Sequence, residues 1–359
     1  MRIDVLGLSD PAWPDCLRTL QHDFYHLPAY VAVEAWRIQA QPGAFLAEDG
    51  KRRMFVPFLR RSCAELFPDA GLVAGLSDVT SPYGYPGLLL SEDARQAPDF
   101  TRAALEALRH TLSSQGICSA FLRQHPLLSG DFRFIFPADV LTHYGDTVAV
   151  DLTLGDKVLW HQIREGHQWT INKGRRLGFT ARMIPLAECL DVFVILYRET
   201  MDRVKAKETY YFRREYFERL AEMPQHVHCC AVESEGTVIA ACILFECAGI
   251  VQAHLGGTRT DFLSRSPFHL ALHHAMFWAK SRGNRYLHLG GGVGGANDSL
   301  LQFKAGFSPR RFPLLAMRLI VNEPSYRRLV ELRAQACGVP PATLAASSFF
   351  PLYRNGETR

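Results

Sequence analysis

The stretch that decides the reading is Tyr286–Pro309, YLHLGGGVGGANDSLLQFKAGFSP. It opens on a short apolar run, Tyr286-Leu287-His288-Leu289, of the length and composition of a buried strand. Glycines follow at 290, 291, 292, 294 and 295. Asn297, Asp298 and Ser299 then offer helix caps before Leu300-Leu301-Gln302-Phe303-Lys304. The local order is therefore strand, glycine turn, short helix, with one cation, Lys304, beside Phe303 near the helix end. Glycine lets backbone approach a ligand closely, and a helix N-terminus favours anions. The spacing matches neither GxGxxG nor GxxxxGK[ST], so no dinucleotide or P-loop site follows from it. A tight turn at a sheet edge remains the plain alternative.

The chain around it has 359 residues, enough for two domains, with 48% hydrophobic and 21% charged residues, a globular balance. A formal net charge of +4 permits a phosphorylated or nucleic-acid partner without demanding one, and no DNA partner is expected. No apolar run reaches the about 18 residues of a membrane helix. The start, MRIDVLGLSDPAWP, has no signal-peptide core. The nine cysteines form no CxxC pair, and several sit in apolar runs. Reduced, mostly buried thiols and a cytoplasmic location are expected.

The first half reads as a mixed α/β unit: a strand at Ile3–Leu6, a helix reaching Trp36, and a hairpin of Ala44–Ala47 with Met54–Leu59. A short strand at Leu72–Leu76 and the loop Thr80–Gly87 follow, then a helix over Asp99–Gln115 and a strand over Cys118–Leu122. The second half starts with a strand at Thr147–Leu152 and a basic helix closed by Gly178. From Cys189 the order is helix, helix, three meander strands, helix, strand, helix, strand. That order is the layout of a GNAT acyltransferase domain. The expected class is α/β (α+β): two tandem GNAT-like domains, each a mixed, mostly antiparallel sheet flanked by helices. The expected limits are 1–145, 146–337 and an irregular Pro-rich tail at 338–359.

Several constellations invite chemistry. His226, His228, Cys229, Cys230, His273 and His274 lack the spacing of a metal site, and none is expected. No GxSxG elbow is present. Lys173, Arg175 and Arg176, with Arg164, His167 and Trp169, suit either phosphate or RNA binding or a solvated helix face. A second cationic group, around Arg203, follows an apolar helix, and Arg grips a diphosphate in a bidentate way. At Gly256–Pro267, where a CoA-using GNAT domain opens its helix with glycine-rich amides, no glycine lies between Asp261 and Ser266. The pyrophosphate cradle is therefore missing from the sequence.

These motifs resemble the FemABX-type aminoacyltransferases. The resemblance covers most of the chain and is firmest over Thr147–Phe307. It rests on DTVAVDL, INKGRRLG (relatives typically read I-R-K-A-x-x-x-G), LYRETMDRVKAKETYYFRREYF and LHLGGG…DSLLQFKAGF. FYHLPAY, SPYGYPG and FLRQHPLL are also similar to this family. Asn172 and Gly174 stand where relatives have Arg and Ala, and a family lysine has no counterpart near Trp36. Both departures bear on a peptidoglycan acceptor rather than on the fold.

The resemblance implies a cytoplasmic transferase that joins an activated carboxyl to an amine. Lys304 with Phe303 forms the catalytic centre, with Asp298 or the substrate itself as base. Arg203, Arg213 and Arg214 are rival diphosphate contacts. Lys173, Arg175, Tyr83, Tyr85, Gly291 and Gly292 are expected to line the substrates. The donor is expected to be aminoacyl-tRNA rather than acyl-CoA, with no tightly bound cofactor. The acceptor is an amine of a cell-wall precursor, a polysaccharide sugar or a secondary metabolite. An acyl-CoA-dependent N-acetyltransferase and a non-catalytic glycan- or RNA-binding module are the alternatives.

Overall fold

The computed structural model describes residues 1–67 and 70–356. Its strands are β1 (Arg2–Leu6), β2 (Gln41–Asp49), β3 (Arg52–Ser62), β4 (Ser77–Thr80), β5 (Leu89–Leu90), β6 (Ile117–Arg123), β7 (Leu141–Asp151), β8 (Thr180–Pro185), β9 (Val227–Ser234), β10 (Thr237–Cys247), β11 (Ile250–Thr258), β12 (Tyr286–Gly291) and β13 (Arg311–Ile320). Its helices are α1 (Ala12–Leu17), α2 (Pro28–Arg37), α3 (Glu92–Arg95), α4 (Pro98–Ser114), α5 (Phe132–Ile135), α6 (Asp156–Gln162), α7 (Glu165–Arg176), α8 (Leu186–Arg203), α9 (Arg214–Ala221), α10 (Phe268–Ser281), α11 (Ser299–Ala305), α12 (Glu323–Cys337) and α13 (Pro341–Ala345). Among the described residues no helix is long and apolar enough to cross a membrane. Eight of the nine cysteines are buried, Cys337 alone is exposed, and all are free thiols.

The chain divides into two compact units, Met1–His143 with Leu314–Arg359, and Tyr144–Pro313. In the first, the strands run β1-β2-β3-β4-β6-β13, with β5 added to β3. The β2–β3 hairpin holds Phe45 opposite Val56 and Ala47 opposite Met54. These inward residues meet Phe100, Ala104, Leu105, Leu108 and Leu112 of α4, which recur every three or four positions and so share one helix face.

The expected domain limits differ from these units. Residues from Leu314 onward belong to the first unit, because β13 pairs antiparallel with β6, Ala316 opposite Arg123 and Ile320 opposite Ser119. The expected irregular tail instead contains α13 and a 3-10 turn at Leu352–Arg354. The fully buried Tyr353 sends its hydroxyl to Ser119, Cys118 and Asp78. Arg354, also buried, pairs with Asp78, which Arg61 holds from its other oxygen at 2.8 Å. A buried guanidinium needs such partners, and they come from far along the chain, where composition does not reveal them. Residues 357–359 of that tail lie outside the described residues. The strand expected at Leu72–Leu76 is displaced: Ala70–Val73 forms a 3-10 turn, and β4 begins at Ser77.

In the second unit the order is β7-β12-β11-β10-β9-β8. One sheet face is covered by α6, α7, α10 and α11 through Leu159, Ile171, Leu272, Met276 and Leu301. On the other, α8 and α9 bring Phe193, Tyr197, Tyr216 and Phe217 into edge-on ring contacts. Full burial of each such side chain contributes about 1.5–3 kcal/mol. The β9–β10–β11 meander turns at Glu235-Gly236 and Ala248-Gly249, all four residues at positive φ, as two-residue hairpins require.

Candidate active site

β11 and β12 run parallel, joined by α10, yet pair over three residues only: Ile250 with Tyr286, Val251 with Leu287, Gln252 with His288. Beyond that point β11 continues along β10 to Thr258, and β12 continues along β7 to Gly291. Each strand carries an extra residue just past the last shared pair. His254 is unmatched between Leu244–Ala253 and Ile243–Leu255, and Leu289 between Ala149–His288 and Val148–Gly290. Such bulges bend a strand, and here they open a cleft in the sheet. Gly290, at φ +79°, makes the bend on β12.

Lys304 reaches this cleft from α11. Its Nζ donates to the carbonyl oxygen of Gly291 at 2.7 Å. Burial of the ammonium pulls its pKa from 10.5 to about 8, while the Asp298 carboxylate, and the Cys242 sulfur on β10 only when ionised, act in the opposite direction. Burial pushes Cys242 itself up to about 12, so it stays a neutral thiol. Lys304 thus holds a water-poor positive charge between β12 and β10, where a hydrogen-bond donor can meet a developing oxyanion.

The glycine turn fixes α11. Asp298 is its N-cap: one carboxylate oxygen accepts from Leu301 N at 2.9 Å, the other from Val293 N at 2.8 Å. Despite desolvation, these backbone donors hold its pKa below the usual carboxylate range. Asp298 was a candidate base; with both oxygens engaged and its proton affinity lowered, it is placed as a cap and as a counter-charge to Lys304. Gly292 is required there, because a Cβ would strike Ala296 O and the Asp298 carboxylate.

Phe303 packs on a ring cluster: His269 at 4.9 Å, His167 at 5.4 Å and Phe307 at 5.5 Å between centroids. Burial lowers the His167 pKa, so the ring is neutral. Its Nε2 lies 2.8 Å from Phe303 O, and since a carbonyl only accepts, Nε2 carries the proton. Arg164 N donates to Gly306 O at 2.8 Å, and a Cβ at Gly306 would collide with the His167 ring. The N-terminal end of α7 thereby clamps the helix that carries Lys304, and Phe303 orients its neighbour.

The other expected site residues disperse. Arg203 spans Thr258 O, Thr260 Oγ1 and Thr200 Oγ1 at 3.1–3.3 Å, so it fastens the end of β11 to α8. Arg214 is bound by Asp191 and Glu218 at 2.6 and 2.8 Å. Arg213 is exposed at the start of α9. Lys173 lies over the Trp169 ring at 5.2 Å. Arg175 turns instead toward His273 Nδ1 at 3.4 Å, in an open groove of about 700 Å³ also lined by Trp160, Phe179 and Phe277. Tyr83 and Tyr85 belong to the first unit. There Tyr83 N donates to Glu34, its carbonyl accepts from Tyr30, and Tyr85 packs edge-on against Tyr25. Gly291 and Gly292 do lie beside Lys304. Among the described residues, no group of three His, Cys, Asp or Glu is placed to hold a metal ion.

Sequence reasoning missed the polar pairs on the α8–α9 side of the cleft. Tyr216 OH and His254 Nε2 lie 3.0 Å apart, and Gln252 Oε1 and His288 Nδ1 lie 2.6 Å apart across the last shared pair of strands. No local motif marks them, since each partner comes from a different element.

Residues 162–304 match the family model described as an acetyltransferase (GNAT) domain. Among solved structures the chain is similar to one described as FemX, at 11% identity and TM-score 0.69, covering 90% of this chain and 99% of that one. It is also similar to a conserved protein of unknown function from Bacteroides thetaiotaomicron, at 12% identity and TM-score 0.54, covering 89% and 99%. A third is the C-terminal domain of a protein assigned as a lysylphosphatidylglycerol synthetase from Agrobacterium fabrum, at 14% identity and TM-score 0.53, covering 84% and 88%. No curated protein sequence matches the chain. The fold is FemABX/GNAT-like, and the matched segment, which includes Lys304 and the cleft, is that of an acyltransferase.

Proposed function

We propose that this acyltransferase takes its acyl group from an aminoacyl-tRNA and places it on the amine of a cell-wall precursor, polysaccharide sugar or secondary metabolite, in the cytoplasm. The observation that carries the choice of donor is the start of α10. In a helix the first amides are unsatisfied and can cradle a phosphate. Here Pro267 has no N–H, Leu270 N donates to Pro267 O at 2.9 Å, and His269 N donates to Ser266 O at 3.3 Å. Ahead of them, Thr260–Arg265 winds into a 3-10 segment closed by Ser266 at φ +51°, whose own N–H is bonded to Leu263 O and Phe262 O. A CoA pyrophosphate would find those amides engaged.

The reaction is ester aminolysis. The acceptor nitrogen attacks the acyl carbon, a C–N bond forms, the C–O bond to the ribose breaks, and the amine proton ends on the ribose oxygen. The donor is itself the activated species, so the chain must position the partners and stabilise charge. Lys304 supplies the cation beside the cleft. In this reading the half-buried His254, in contact with Tyr216 OH, steers the acceptor from the other sheet face.

The match of residues 162–304 to an acetyltransferase (GNAT) domain supports the acyl-CoA reading as the second one. Incubation of the purified chain with charged tRNA or with a panel of acyl-CoAs separates the two. Consumption of charged tRNA with an amine acceptor supports the first reading. Consumption of an acyl-CoA alone overturns it.

A further inference from the structure

α7 presents two faces with different tasks. Inward, His167, Ile171 and Gly174 are buried, and His167 holds the Phe303 carbonyl next to Lys304. Outward, Trp169, Lys173 and Arg176 recur at spacings of four and three and form one stripe. Trp169 is 60% exposed, a large indole left in solvent, and Lys173 lies over it at 5.2 Å. Arg176 is exposed, as is Arg164 at the helix start. The one acid on α7 is Glu165, in its first turn. The 3-10 segment Thr260–Arg265 adjoins α7, and its Phe262 ring lies 6.1 Å from that of Phe179 just past the helix; the segment carries the exposed Arg265, over the Phe262 ring at 5.0 Å, and is preceded by the half-buried Arg259. Of these, Arg259 is paired with Asp261.

Lys173 over Trp169 is a cation–π pair at helical spacing, and Arg176 extends its positive rim along the same face. Flat rings with flanking cations are what a single strand of nucleic acid requires: bases stack on the rings while Lys and Arg follow the phosphates. We infer that the Trp169–Lys173–Arg176 stripe of α7 is a docking surface for the single-stranded 3′ end of an RNA. This rests on the aminoacyl-tRNA reading above and assigns the donor a place on the surface. The same helix that holds the RNA grips the segment bearing Lys304, so docking and the reacting end are linked through one rigid element.

The test uses the full chain and an acceptor-stem RNA minihelix with a free single-stranded 3′ end, followed by fluorescence anisotropy across a salt series. Wild type is expected to bind, with affinity falling steeply with salt. Lys173→Ala with Arg176→Ala is expected to weaken binding at least tenfold and to reduce the log–log salt slope by about two. Trp169→Ala is expected to weaken it about 5- to 100-fold at an unchanged slope, with Trp169→Phe restoring most of the loss. Arg102→Ala, an exposed cation on α4, serves as the control, and thermal unfolding confirms that each variant is folded. Vesicles of phosphatidylglycerol run alongside. No binding of the minihelix by wild type, equal binding by the α7 variants, or a response of the stripe to vesicles alone overturns the inference. The donor reading fails separately: stripe-dependent RNA binding without consumption of charged tRNA sinks that reading and leaves this one. Consumption at wild-type efficiency by the α7 variants does the reverse.

Discussion

The Nζ of Lys304 and the carbonyl oxygen of Gly291 stand 2.7 Å apart, a contact that ties the last turn of α11 to the end of β12. The cation is thereby fixed at the point where β12 has parted from β11. Lys304→Met keeps the length of the side chain and removes the charge. Turnover with the true substrates is expected to fall about 10²- to 10³-fold, the range seen when one oxyanion donor is lost. Steady-state kinetics on a variant with unchanged thermal unfolding checks this, and turnover near the wild-type rate would remove Lys304 from the mechanism.

The pH profile follows from the same burial. An ordinary lysine stays charged to pH about 10.4, but burial brings Lys304 to about 8. The charged form dominates below that value and is lost above it. A reaction that needs the ammonium therefore loses rate as pH rises through about 8, and Lys304→Arg, if active, should carry the decline to higher pH. A rate that instead climbs through pH 8 would assign the neutral amine as a base.

Asp298 offers a cleaner separation of roles. Asp298→Asn keeps an oxygen for Leu301 N, and Asn is as good an N-cap as Asp, while the bond from Val293 N and the counter-charge to Lys304 are given up. Activity within about fivefold of wild type is expected, since a general base typically contributes about 10²- to 10⁴-fold. Asp298→Ala should lose about 1 kcal/mol of stability in denaturant unfolding. A collapse of activity in the Asn variant alone would restore Asp298 as the base.

Gly292→Ala tests the packing of the turn. Its φ of −75° is open to any residue, so only the clash with Ala296 O and the Asp298 carboxylate opposes the methyl. A cost of about 1–3 kcal/mol and a loss of activity through a displaced α11 are expected. Unchanged unfolding and kinetics would show that the turn gives way freely.

In the first unit, Arg354→Ala removes a buried cation from Asp78 and leaves Arg61 as the remaining cationic partner. Breaking a buried pair typically costs about 3–5 kcal/mol, and the second arginine sets the expectation at the lower end. Urea unfolding measures it, and a change under 1 kcal/mol would make Arg354 dispensable.

What could be read beforehand was local. The strand, turn and helix at Tyr286–Ala305 are spelled by apolar run, glycines and cap within twenty residues, and the structure has them there. The cap role of Asp298 was legible and its second hydrogen bond, to Val293, was not. The cleft between β11 and β12 is invisible in sequence, because it arises where two strands 36 positions apart stop pairing. Arg203 looked like a ligand contact, and its three bonds to threonine oxygens emerge only when β11 returns beside α8. The Pro-rich ending looked irregular because its anchor, Asp78, lies 276 residues away from Arg354.

That distant anchor bears on the order of assembly. As the chain leaves the ribosome, Tyr144–Pro313 is complete before any of Leu314–Ile320 exists to lie against β6. The first 143 residues must wait with β6 lacking that neighbour, an open edge of the kind that recruits stray strands. The segment carrying the transferase cleft is thus able to mature as an uninterrupted stretch, while the unit that encloses it in sequence closes last. Stalled or truncated chains should therefore yield a folded second unit beside an unfinished and aggregation-prone first one.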